Sequence, residues 1–167
     1  MTFVAVTIAA GAHYAEARSA ARRPRQPPYR LEASVVALLS GENRASQYRH
    51  SRPQVLLYVI ETCRHGHAEL ARWAGIAHAH PGLFATADLV VITATPIRDS
   101  GSFIPPSLPH RSVVDRDRRI AAALGVRAVP FAAFVDDEGV VREIALGETD
   151  ERATLGRLAR LRGLHAP

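Results

Sequence analysis

The chain has 167 residues, enough for one domain with a substantial core, and its 47% hydrophobic and 22% charged content is ordinary for a globular protein. All 21 basic residues are arginines, and residues 1–30 hold five of them (Arg18, Arg22, Arg23, Arg25, Arg30) against the single acid Glu16, so most of the net charge of +5 belongs to that end. The near-neutral remainder argues against a nucleic-acid footprint, which needs a basic face on the domain. The lone cysteine, Cys63, excludes an internal disulfide and a multi-cysteine zinc site, and no apolar run reaches the roughly 20 residues of a membrane span.

Residues 1–30 read as a basic, Ala/Arg/Pro-rich tail or linker, broken by Arg22-Arg23-Pro24-Arg25-Gln26-Pro27-Pro28. A solvated tail is the plain expectation, and weak contact with anionic lipid is the sharper one. Phe3 to Ala12 makes a poor signal-peptide core because no basic side chain precedes it. A cytoplasmic location is therefore favoured, with export or membrane attachment through residues 1–30 as the alternative.

Residues 31–167 read as one domain. Leu31 to Leu39, with β-branched Val35-Val36, predicts a short strand or hairpin edge, followed by turn chemistry at Ser40-Gly41-Glu42-Asn43. Leu56 to Ile60 predicts a buried strand that stops just short of Cys63. From Arg64 the period changes: Leu70, Trp73, Ala74 and Ala77 share one face of a helix that Pro81-Gly82 ends. Cys63 thus stands where a strand hands over to a helix start, where open backbone N–H groups and the dipole favour a thiolate.

Leu89 to Thr93 predicts a second buried strand, and Pro96 to Pro109 a long loop. His110 to Val114 fits a short edge strand. Asp115 or Asp117 offers a cap for a helix over Arg118 to Leu124 that Gly125 ends. Val126 to Val135, the turn Asp136-Asp-Glu-Gly139 and Val140 to Ala145 form a hairpin. Thr149 is the expected cap of a last helix lined by Leu155, Leu158 and Leu161. From Val55 the core order β-α-β-α-β-β-α implies an α/β fold: a central mixed sheet flanked by helices, with an N-terminal extension.

This order resembles the thioredoxin superfamily, and within it the TlpA and MauD-like redoxins. Three segments carry the likeness: Glu61-Thr-Cys-Arg-His-Gly-His-Ala-Glu-Leu70, Val114 through Val126, and Arg127-Ala-Val-Pro-Phe-Ala-Ala-Phe-Val-Asp-Asp-Glu-Gly-Val140. The resemblance implies a thioredoxin-like fold over about residues 31–164. It implies that Cys63 is the attacking cysteine and that Pro130 matches the family's cis-proline, with Val129 presenting its backbone to substrate. Where the family has Cys-x-x-Cys this chain has Cys63-Arg64-His65-Gly66, so the resolving position is lost to Gly66. Thr62 replaces the family's aromatic before the cysteine. The other register, with Ile60 as a lost first cysteine and Cys63 as the second, is the less direct match to the strand end.

Without a second sulfur to attack a mixed disulfide, only monothiol exchange remains, with a protein disulfide or a low-molecular-weight thiol as partner. Arg64 beside Cys63 is the expected thiolate-stabilising residue. Two functions stay open: a single-cysteine thiol–disulfide oxidoreductase without cofactor, or a redox-inactive thioredoxin-fold binding or scaffold protein. Retention of Cys63 leans toward the enzyme. Cys63 and His67 share a helix face, but no third ligand is fixed by spacing, so no metal is expected. Glu61 is weighed as a proton acceptor, although a solvated acid at a strand end is the plainer reading.

Overall fold

The computed structural model describes residues 25–40, 52–97, 103–161 and 163. The expectations for the N-terminal tail before Arg25 and for the turn after Ser40 lie outside the described residues. Among the described residues six strands form one mixed sheet in the order β1-β6-β5-β2-β3-β4. They are β1 (Tyr29–Arg30), β2 (Gln54–Val59), β3 (Asp88–Thr93), β4 (Arg111–Val114), β5 (Phe131–Val135) and β6 (Val140–Leu146). β2, β3 and β4 are parallel, whereas β5 runs antiparallel to β2 and β6 to β5. Every residue of β2 is buried, because helices cover both faces of the sheet at its centre.

Among the described residues the helices are α1 (Ala33–Ser40), α2 (Arg64–Ala79), α3 (Pro81–Phe84), α4 (Arg119–Leu124) and α5 (Glu151–Leu161). One core layer gathers Val55, Leu57 and Val59 with Leu70, Trp73 and Leu158, on the side of α2 and α5. Phe103, Ile104 and Leu108 from the long loop belong to that layer, so this part of the loop is core packing. The opposite layer joins Leu56 and Tyr58 to Val35, Val36, Leu39 and Ile120, on the side of α1 and α4.

Three sequence expectations are corrected. Most of the stretch from Leu31 to Leu39 is helix α1 (Ala33–Ser40), not a strand: Val35, Val36 and Leu39 are buried on one face with Leu31 just before it, and one packed face outweighs the β preference of two valines. Tyr29 and Arg30, expected in the tail, pair with Val141 and Val140 and so belong to the sheet. The cap of α5 also differs, since Asp150 Oδ1 accepts from the Ala153 amide at 2.7 Å. Thr149 instead takes an N–H of Arg72 on its hydroxyl oxygen at 2.9 Å.

Asp115 performs the capping expected at α4. Its buried carboxylate accepts from the amides of Ile120 (3.0 Å) and Ala121 (2.8 Å), while Arg118 adopts a left-handed conformation at φ 56°. The same carboxylate accepts the Tyr58 hydroxyl at 3.1 Å. Burial, then the negative charge of Asp115, pushes the Tyr58 phenol above its usual value. The folded chain therefore keeps this proton at a pH where the unfolded chain has released it. The resulting stability is fully present below about pH 10 and is lost as pH rises through the folded value. Denaturant midpoints compared at about pH 9 and pH 11 should fall more steeply for the wild type than for Tyr58→Phe.

Candidate functional site

β2 carries the chain to Val59, and a turn closed by the Cys63 amide on the Ile60 carbonyl (3.0 Å) delivers Cys63 to the N-cap of α2. Cys63 has extended backbone angles (φ −95°, ψ 114°), and its carbonyl accepts the amides of Gly66 and His67 at 2.9 and 3.2 Å. Its side chain makes no capping bond and is partly exposed. The sulfur is thus left unengaged at the end of a sixteen-residue helix whose first N–H groups have no intrahelical acceptor.

Gly66 is buried within the first turn. A Cβ built there would lie 3.8 Å from the Cys63 Cβ, 3.6 Å from the Val59 Cβ and 3.2 Å from the Ile60 carbonyl oxygen. Arg64 is exposed, and its Nε donates to His65 Nε2 at 3.3 Å, so the guanidinium expected to face the thiolate is engaged with the neighbouring imidazole.

The Val129–Pro130 peptide bond is cis. Pro130 is buried and Val129 half-buried. Register brings this edge to the same end of the sheet as Cys63: Tyr58 pairs with Phe131, so β5 enters the sheet beside the point where β2 leaves it. The Gly147 amide donates to the Pro130 carbonyl at 2.8 Å, which ties the loop after β6 to the same corner.

Two histidines buttress this corner. His67 donates from Nε2 to the Glu61 carbonyl at 2.7 Å, and its ring meets the edge of Phe103 with centroids 4.8 Å apart. His65 Nδ1 contacts Glu148 Oε1 at 2.6 Å. Neither partner is visible in the sequence, because Phe103 and Glu148 come from distant loops. The only hint is the excess of histidines in the first turns of α2.

A cleft of about 790 Å³ lies at the opposite end of the sheet, over Phe134 and lined by Asp136, Arg142, Glu143, Arg157 and Arg160. Two of its carboxylates are paired with its arginines. Arg142 binds Asp136 at 2.6 Å, while Arg160 and Arg157 bind Glu143 at 2.7 and 3.5 Å. The Arg160 hydrogen bond holds the Glu143 carboxyl below the usual carboxylate range. Most of its charged groups are spent on one another, although Arg157 Nη1 is buried there without a hydrogen-bond partner, and the cleft lies far from Cys63. Among the described residues no group of three or more His, Cys, Asp or Glu side chains could hold a metal ion, and no helix is long and apolar enough to cross a membrane.

Solved structures share this architecture. A thioredoxin solution structure from Neisseria meningitidis matches with a TM-score of 0.60 and 14% identity, over 82% of this chain and 89% of that one. The fold is thioredoxin-like. The pneumococcal exposed lipoprotein thioredoxin matches at 0.56 and 19% identity, over 80% and 99% of the two chains. A secreted disulfide oxidoreductase of Mycobacterium tuberculosis matches at 0.52 and 22% identity, over 67% and 84%. No family model and no curated protein matches the chain. These thioredoxin-like neighbours are disulfide oxidoreductases or thioredoxins by their own descriptions, and at such identities the likeness carries the fold.

Proposed function

We propose that this protein is a thiol–disulfide oxidoreductase working through the single nucleophile Cys63. The observation that carries the reading is the position of Cys63: an unengaged, partly exposed sulfur at the N-cap of α2, at the sheet end where Val129-Pro130 enters. In the first step the Cys63 thiolate attacks one sulfur of a disulfide R–S–S–R′. The S–S bond breaks, R′S⁻ leaves, and R remains on Cys63 as a mixed disulfide. Because Gly66 carries no sulfur, an external thiolate must attack that mixed disulfide, releasing Cys63 as thiolate and carrying R away as a new disulfide. Val129 and Pro130 form the edge against which the substrate lies, and the N-cap position at α2 holds the sulfur toward that edge. Arg64 contributes through its charge rather than by contact, given its bond to His65.

Substrates on this reading are protein disulfides or mixed disulfides of low-molecular-weight thiols. Oxidised glutathione should place one glutathionyl group on Cys63, reduced glutathione should remove it, and Cys63→Ser should abolish both steps. A wild-type chain that stays unmodified in the folded state would contradict the proposal. The loss of the resolving cysteine at Gly66 favours a second reading, a thioredoxin-fold binding module; Cys63→Ser would then leave partner binding unchanged. Location stays with the earlier alternatives, the cytoplasm or export.

A further inference from the structure

We infer that His65 and Glu148 act as a positioning pair that holds the nucleophile's helix turn at a fixed angle to the Val129–Pro130 edge. The inference rests on the exchange reading above. Arg64 Nε can only donate, so its bond to His65 Nε2 leaves the imidazole proton on Nδ1, directed at Glu148 Oε1 across 2.6 Å. Glu148 directly follows Gly147, whose amide is bonded to the Pro130 carbonyl. Covalent and hydrogen bonds therefore link Cys63, Arg64, His65, Glu148, Gly147 and Pro130 in one continuous path. The His65–Glu148 bond is the step of that path that joins the first turn of α2 to the loop after β6.

Thiol–disulfide exchange needs the attacking, central and leaving sulfurs nearly in line. A peptide lying on the Val129–Pro130 edge has its own sulfur fixed by that edge, so the angle between edge and helix sets how often the line forms. A small free disulfide can approach the partly exposed sulfur unaided and does not need the linkage. In a chain with one cysteine the geometry matters twice, since both the forming and the resolving step are intermolecular. Half-exposed pairs of this kind hold geometry weakly. The expected effect is accordingly a few-fold loss.

The test compares the second-order rate of Cys63 with two probes, the symmetrical disulfide of a short cysteine peptide and the small aromatic disulfide dithiobis(nitrobenzoate). His65→Ala and Glu148→Ala should each slow the peptide reaction about three- to fivefold while changing the aromatic one less than about twofold. The double variant should lose no more than either single one, because the two residues act as a unit. Glu148→Gln, whose carbonyl still accepts the Nδ1 proton, should retain most of the peptide rate. Unchanged peptide rates, equal losses with both probes, or additive losses would overturn the pair's role. A wild type unreactive toward both probes would instead remove the exchange reading itself, so the two failures are distinguishable.

Discussion

Gly66→Cys should convert the chain into a dithiol protein, with an internal disulfide between Cys63 and the sulfur introduced at position 66. The Cβ position at residue 66 is 3.8 Å from the Cys63 Cβ, inside the roughly 3.5–4.5 Å that disulfides span. The Ile60 carbonyl oxygen at 3.2 Å must give by a few tenths of an ångström, which should cost the reduced variant about 1 kcal/mol. Mild oxidation should then give a species that loses both free thiols without dimerising, seen by thiol titration and intact mass. Reduction of a protein disulfide such as insulin should accelerate by about tenfold or more, since the resolving sulfur now attacks from within the molecule. A variant that oxidises only between molecules would mean that Cys63 and residue 66 do not share the first-turn geometry described here.

The second large effect lies at Glu69, whose side chain is 1% exposed. It accepts from Arg72 Nε at 3.0 Å, from Arg72 Nη2, and from the Trp73 indole at 2.9 Å. Arg72 also donates to Thr149 and Thr154, both at 2.9 Å, which ties α2 to the start of α5. Glu69→Ala removes the carboxylate and leaves a largely buried guanidinium and an indole N–H without it. The loss should be about 2–4 kcal/mol, at the lower part of the range for broken buried pairs because the two threonines remain as acceptors. The melting temperature should drop by roughly 5–15 °C. Trp73 is the sole tryptophan, so its emission reports the lost bond directly. Replacing Glu69 and Arg72 together by methionine should cost less than Glu69→Ala alone, since no charge is then stranded.

Most of the fold could be read from the sequence because its elements bury whole runs or single faces. Leu56 to Val59 and Leu89 to Ile92 are continuous apolar strands, and Leu70, Trp73, Ala74 and Ala77 mark one helix face. The misread segment failed for a local reason: the pair Val35-Val36 signals a strand only if the spacing to Leu31 and Leu39 is overlooked. For the candidate site, the strand-to-helix junction pointed to Cys63, and the resemblance pointed to Gly66, Val129 and Pro130. What could not be read was the surrounding shell. His65–Glu148, His67–Glu61 and Glu69–Arg72–Thr149 each join an α2 residue to a polar atom whose availability depends on the finished fold, and hydropathy periodicity contains nothing about such pairs.

If Cys63 is the nucleophile, the fold makes it more reactive than it is in the unfolded chain. The most direct measurement is the rate of Cys63 with dithiobis(nitrobenzoate) at neutral pH, in the folded chain and in the same chain unfolded by urea. The folded chain should react faster by about tenfold or more, even though folding partly buries Cys63. A folded chain that reacts more slowly than the unfolded one, or not at all, would contradict it, and Cys63 would then be a structural residue of a binding module.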